Sequence, residues 1–180
     1  SRNALLIICG LLMDFVTLTS FYRFARYATT FRFAIAMILF YGFRIVVQHI
    51  FYVEFPEGYA WGYPGFFSIC VRYGVTGDFF YSGHVGVCIL QFLEFSSVGW
   101  FWMSLFALVT MVMQIFLMYA LRAHYTIDMI SGVVFAHYIW LMSEKYSYLV
   151  DWHIFGIPLK KRMSKDRGFS EDEINLEIQR

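Results

Sequence analysis

Two short stretches of the sequence can do chemistry together. One is Gly77-Asp78-Phe79-Phe80-Tyr81-Ser82-Gly83-His84; the other is Arg122-Ala123-His124-Tyr125-Thr126-Ile127-Asp128. His124 and Asp128 are four apart, so on a helix they share one face. A carboxylate so placed holds the imidazole in one tautomer and stabilises its cation. His84 arrives from a different segment. One oriented nucleophile or base plus one acid is enough for acyl or phosphoryl transfer. The spacing therefore suggests His124, oriented by Asp128, as a nucleophile or base, with His84 as the second histidine that could serve as the acid. Ser-Gly-His and His-x3-Asp are each short patterns, and neither identifies a site by itself. What gives them weight is whether the rest of the chain brings them together.

The rest of the chain reads as membrane. Of 180 residues, 59% are hydrophobic and only 15% charged, and the mean hydropathy is +0.58. A soluble domain has about one quarter charged residues. The net charge of +1 offers nothing to a nucleic acid. The apolar runs predict an all-α, multi-pass transmembrane bundle with spans at 4–22, 33–53, about 82–95, 100–121 and about 124–142. The absence of an initiator Met suggests an upstream part. The run 4–15 lacks a cleavage site and reads as a span, not a signal peptide. Residues 1–145 are expected to form the transmembrane catalytic domain, and 146–180 a cytosolic basic tail with a short helix beginning near Ser170.

Topology follows from the arginines. Arg23, Arg26 and Arg32 crowd the first connection, which the positive-inside rule makes cytosolic. The third and fifth spans then both start at the lumenal face, one with His84 and the other with His124. Each imidazole is expected at a helix N-terminus, where free amides and the positive end of the dipole suit an anion such as phosphate. Ser82 is a good N-cap, and Gly83 permits close approach.

Four polar groups fall within or at the ends of the spans. Asp14 and Arg44 lie roughly 13 Å and 18 Å in from the arginine loop, so they can pair with each other, or Arg44 can reach a substrate phosphate. Glu94 is expected at the cytosolic end of the third span, in reach of water. His137 is expected to be buried or to lie between helices. Cys9, Cys70 and Cys88 have no paired or metal-ligand spacing and read as small buried hydrophobes. No metal or cofactor is called for. The long aromatic, glycine-rich loop 54–79 is either an interfacial belt or the wall of a headgroup pocket; in the second case the stretch 59–81 offers Tyr59, Trp61, Tyr63, Tyr73 and Tyr81 as the rings and Asp78 as the counter-charge.

These motifs resemble those of the lipid phosphatases related to type 2 phosphatidic acid phosphatase. Within that superfamily, Gly77 to His84 and His124 to Asp128 look like the two catalytic motifs of the sphingomyelin synthases. Ser82-Gly83-His84-Val85 and Arg122 to Asp128 are also similar to the plant phosphatidylcholine:diacylglycerol cholinephosphotransferases. Arg44, followed by an apolar stretch and Pro56, resembles the sphingomyelin synthase third-helix region. The resemblance covers roughly residues 5–145. It implies six spans in the full chain and catalysis by His84, His124 and Asp128. Asp78, Tyr81, Ser82, Gly83, Arg122, Tyr125 and Arg44 are the expected substrate-binding residues.

The implied reaction moves phosphocholine from phosphatidylcholine to ceramide or diacylglycerol, at the lumenal side of the Golgi, the endoplasmic reticulum or the plasma membrane. The phosphatases' Lys-x6-Arg-Pro element is absent, and Met118 stands where they have an arginine six residues before the second histidine. A phosphodiester carries one charge and needs fewer cations than a monoester, so the departure favours headgroup transfer. A lipid phosphate phosphatase and a non-catalytic lipid-binding protein are the alternatives.

Overall fold

The computed structural model describes residues 2–51, 53–73, 79–154 and 156. They form five helices: α1 (Arg2–Tyr27), α2 (Arg32–Ile50), α3 (Gly83–Ser97), α4 (Phe101–Ala120) and α5 (Thr126–His153). There is no strand among the described residues. α1, α2, α4 and α5 are each long and apolar enough to cross a membrane. The protein is an all-helical, multi-pass membrane bundle.

Its burial pattern explains why. The outer faces carry large apolar side chains such as Ile8, Phe15, Ile38, Val109, Phe116 and Leu141, all exposed. Polar residues turn inward and tie helices together: Gln91 Nε2 donates to Thr17 Oγ1 at 2.8 Å, and Gln114 Nε2 to the Cys9 carbonyl at 2.8 Å. Between helices in lipid, such hydrogen bonds and close packing take over from hydrophobic burial.

α3 has 15 residues, short for a ~30 Å hydrocarbon core. It does not have to meet lipid, because it is the central helix, packed against the other four. Val85, Cys88, Leu90 and Gln91 are fully buried. Its N-terminus meets α5 closely: a Cβ on Gly132 would lie 2.9 Å from the Ser82 carbonyl oxygen. Ser82 N–H donates to the Asp128 carbonyl at 2.8 Å. Small residues at this crossing bring the two chemical stretches side by side.

α1 and α2 are joined by the short turn 28–31 but diverge from it. α1 packs on α3 and α4, whereas α2 packs on α3 and α5. The turn end of the wedge is fastened by charge. Arg23 pairs with Glu94 of α3, and Arg32 with Glu144 of α5 at 3.1 Å. Arg32 also lies 4.0 Å from the Trp140 ring centroid, and Phe31 N–H donates to Asp151 Oδ1 at 3.0 Å.

These contacts revise four expectations. Glu94 is buried and paired rather than open to water. α5 continues to His153, past both 142 and the expected boundary after 145, because Glu144 and Asp151 have partners across the bundle. His137 is exposed on the outer surface, on the side of α5 away from the core. Cys70, unlike the buried Cys9 and Cys88, is only partly covered. Of the expected tail 146–180, residues 146–153 belong to α5; residues 157–180, where the short helix near Ser170 was expected, lie outside the described residues.

The loop between α2 and α3 folds over the far end of the bundle. Ala60 N–H donates to the Leu121 carbonyl at 3.0 Å. Arg122 Nη1 donates to the Glu57 carbonyl at 2.9 Å, and Tyr125 Oη to the Glu54 carbonyl at 3.1 Å. The loop then runs down the side of α1, where Asp14 receives it. The expected Asp14–Arg44 pair does not form: the Asp14 carboxylate accepts from Ser68 Oγ and from the Ile69 and Cys70 amides.

Candidate active site

His84 occupies the first turn of α3, behind the N-cap Ser82. Both of its ring nitrogens are buried and have no hydrogen-bond partner among the described residues. Its ring centroid is 6.4 Å from that of His124 and 5.6 Å from that of Trp61. A polar pair buried without partners is costly unless a ligand or water completes it, so the ring is placed to serve something that enters.

His124 is not on the helix. α5 begins at Thr126, with Tyr125 as its N-cap, so the one-face rule for His124 and Asp128 does not apply. The pairing arises differently. Asp128, in the first turn, folds back so that Oδ2 accepts from the Tyr125 N–H at 3.1 Å and lies 3.3 Å from His124 Nδ1. Its other oxygen accepts from the Phe80 N–H at 3.2 Å. One buried carboxylate thus holds the histidine, the start of α5 and the approach to α3. With Nδ1 facing Asp128, Nε2 is the ring nitrogen of His124 left to meet other groups.

The backbone on both approaches is strained. Phe80 (φ 69°), Tyr81 (φ 41°) and Arg122 (φ 49°) all adopt left-handed conformations. Bulky residues there cost on the order of 1–3 kcal/mol each and persist only under constraint. Aromatic packing supplies it: Phe80 stacks on Phe51 at 4.7 Å and Tyr81 on Phe135 at 5.1 Å. Tyr81 is fully buried and donates its hydroxyl to the Phe40 carbonyl at 2.6 Å.

A cavity of about 840 Å³ opens beside the two imidazoles. Around the rings it is lined by Arg44, Arg72, Tyr59, Trp61, Phe79 and Gly83; it then continues between α1 and α2 past Met13, Leu18, Phe21, Met37 and Ile45. Arg44 reaches in from α2 and lies against Gly83, where an added Cβ would sit 2.8 Å from the guanidinium carbon. The missing side chain at Gly83 is what lets a cation stand at the N-terminus of α3. The cavity therefore has a cationic, imidazole-lined head and an apolar body. Both histidines and Arg44 face a common space in which a phosphate ester would meet two imidazoles and positive charge.

The other expected binding residues divide. Tyr59 and Trp61 line the cavity, and Tyr73 stacks behind Trp61 at 5.7 Å. Tyr63 contacts Tyr73 at 6.2 Å and is otherwise exposed. Tyr81 and Ser82 are buried in the packing, and Arg122 and Tyr125 hold the covering loop; none of the four lines the cavity. Asp78 and Gly77 lie outside the described residues. Phe79 and Arg72 are among the lining residues that were not singled out from the sequence. Phe79 packs against both His124 and Tyr125, at 6.0 and 5.8 Å. Arg72 adds a second cation, and its only signal in the sequence was a charge in an otherwise uncharged stretch of loop.

Residues 75–145 match the family described as PAP2 superfamily C-terminal. The matched segment holds α3, α4, most of α5 and all three of His84, His124 and Asp128. It supports a lipid-phosphatase-like superfamily, whose members are typically phosphatases or phosphotransferases. No curated protein and no solved structure gives a significant match.

Proposed function

We propose that the protein is a membrane phosphotransferase that moves the phosphocholine headgroup of phosphatidylcholine to the hydroxyl of a second lipid, ceramide or diacylglycerol. The observation that carries this reading is the single cavity that joins His84, His124 and Arg44 at one end to an apolar channel between α1 and α2 at the other. Such a shape suits a lipid whose phosphate meets the histidines while its chains lie among Leu18, Phe21 and Met37. Asp128 accepts the Nδ1 proton of His124 as a hydrogen bond and balances the imidazolium. His124 Nε2 attacks phosphorus, the bond from phosphorus to the glycerol oxygen breaks, and His84 gives that oxygen its proton. Diacylglycerol leaves, and phosphocholine stays on His124.

In the second half the acceptor hydroxyl attacks phosphorus, His84 takes its proton, and the bond to His124 breaks. Arg44 offsets charge on the phosphoryl oxygens throughout. The phosphate supplies the counter-charge that an imidazolium needs in so buried a place. Trp61 and Tyr59 offer ring faces to the quaternary ammonium, with Asp78 as the proposed counter-charge. Arg23, Arg26 and Arg32, which flank the α1–α2 turn, favour a cytosolic turn and C-terminus with a lumenal or extracellular site, in a Golgi, endoplasmic reticulum or plasma membrane.

The family match equally favours a lipid phosphate phosphatase, in which water takes the place of the acceptor alcohol. Purified protein in phosphatidylcholine nanodiscs, given fluorescent ceramide or diacylglycerol, should yield a fluorescent phosphocholine lipid. Inorganic phosphate released from phosphatidic acid, with no fluorescent product, would replace transfer by hydrolysis.

A further inference from the structure

Asp14 stands in the middle of α1, twelve residues and roughly 18 Å along the helix from Arg2. It has no part in the chemistry above, yet it is 8% exposed and binds three groups. Oδ1 accepts from Ser68 Oγ and from the Cys70 amide, both at 2.9 Å; Oδ2 accepts from the Ile69 amide at 3.1 Å. Ser68 Oγ accepts in turn from the Val71 amide at 3.0 Å. Three successive amides of a non-helical segment are thus satisfied by one carboxylate, two directly and one through a hydroxyl. At membrane depth, irregular backbone persists only where protein or water satisfies it.

α1 is shaped for this segment. Leu6, Gly10 and Asp14 are spaced by four and form one stripe. The Leu6 carbonyl accepts from Tyr73 Oη at 3.1 Å. A Cβ on Gly10 would lie 2.6 Å from that Oη and 3.4 Å from Ser68 Cβ. The segment held on the stripe supplies Ile69, Cys70 and Arg72 to the cavity wall. It also fixes Trp61, whose Nε1 donates to the Arg72 carbonyl at 2.9 Å and whose ring meets His84.

We infer that Asp14 is a positioning residue: it pins residues 68–73 as the cavity wall facing the histidines and so sets how tightly the lipid headgroup is held. This rests on the lipid phosphotransferase reading. An Asp14→Asn side chain keeps the volume but retains one acceptor oxygen, so at least one of the amides at 69 and 70 loses its partner. Binding that depends on the wall should weaken about tenfold, the scale of one hydrogen bond to a charged group.

The test has two readouts that need no turnover, made on the purified protein in nanodiscs. Hydrogen exchange of the peptide spanning 68–73 should speed up in Asp14→Asn while α3 and α4 stay protected. The dissociation constant of a non-reactive phosphonate analogue of phosphatidylcholine should rise about tenfold. Gly10→Ala, which leaves the carboxylate in place but crowds Tyr73, should raise it as well. Unchanged exchange at 68–73 would overturn the pinning. Faster exchange with unchanged binding in both variants would reduce Asp14 to a structural anchor and overturn its positioning role. Where the enzyme turns over, Asp14→Asn should raise KM with kcat largely kept; an equal fall in kcat with KM unchanged would also overturn it. Wild-type protein that binds the analogue but turns over no phospholipid would refute the transfer reading alone.

Discussion

Asp128→Asn removes a charge and almost no volume, and the structure says what that should cost. The carboxylate receives three donors: the Tyr125 amide, His124 Nδ1 and the Phe80 amide. An asparagine has one oxygen. If it faces Tyr125 and His124, its NH2 opposes the Phe80 amide. If it faces Phe80, its NH2 opposes Tyr125 and forces His124 into the other tautomer, with Nε2 protonated and unable to attack. Either way a buried donor loses its partner, at about 1–3 kcal/mol of stability. The catalytic loss should be larger. Neutralising an orienting aspartate costs up to ~10⁴ in rate where it has been measured in a Ser-His-Asp enzyme, or about 5.4 kcal/mol of transition-state stabilisation.

The His124–Asp128 contact is long at 3.3 Å, so the expected range is about 10²–10⁴. The assay is initial-rate transfer from fluorescent phosphatidylcholine in nanodiscs, beside a thermal melt of the same preparation. A variant within about tenfold of wild-type rate and with an unchanged melting point would refute the roles given to Asp128.

Three further substitutions separate the site from its supports. Gly83→Ala places a methyl carbon 2.8 Å from the Arg44 guanidinium carbon and should lower transfer by about tenfold or more, with little change in melting temperature; normal rates would mean that Arg44 is not needed where it stands. Arg23→Ala removes the cation paired with the buried Glu94 and should destabilise the protein by about 3–5 kcal/mol, seen as a melting point roughly 10 °C lower; a shift below 2 °C would show that the pair is screened. Tyr81→Phe removes only the hydrogen bond to the Phe40 carbonyl and should cost about 0.5–1.5 kcal/mol of stability while sparing KM; a large rise in KM would return Tyr81 to the substrate site.

The helical membrane class and the partnership of the two stretches were legible because both depend on local signals. Apolar runs set the spans, and parity places the starts of the third and fifth helices at one face. The tertiary partners of the intramembrane charges were not legible. Nothing near Asp14 says that a loop more than fifty residues later will descend to it, so the nearest cation in depth, Arg44, was the natural guess. Glu94 looked exposed because a hydropathy window counts a charge as polar whether or not Arg23 neutralises it. The apolar run faded at 142, but α5 went on, since Glu144 and Asp151 have partners that only the fold supplies.

His124 and Asp128 met as expected for a different reason: the helix starts two residues later than the sequence suggested, and the carboxylate reaches back to its N-cap. Tyr81 shows the limit of motif reasoning. Neighbours in sequence share a motif but not a surface, and a left-handed turn at Phe80 and Tyr81 sends that ring into the core.

The central claim is that His124 carries a lipid headgroup between two lipids. Choline-labelled phosphatidylcholine, ceramide and diacylglycerol, incubated with wild-type protein and with His124→Ala, test it most directly. Label should appear in a second phosphocholine lipid with the wild type and not with the variant, both melting alike. Label released only as a water-soluble product, or label transferred equally by His124→Ala, would contradict it.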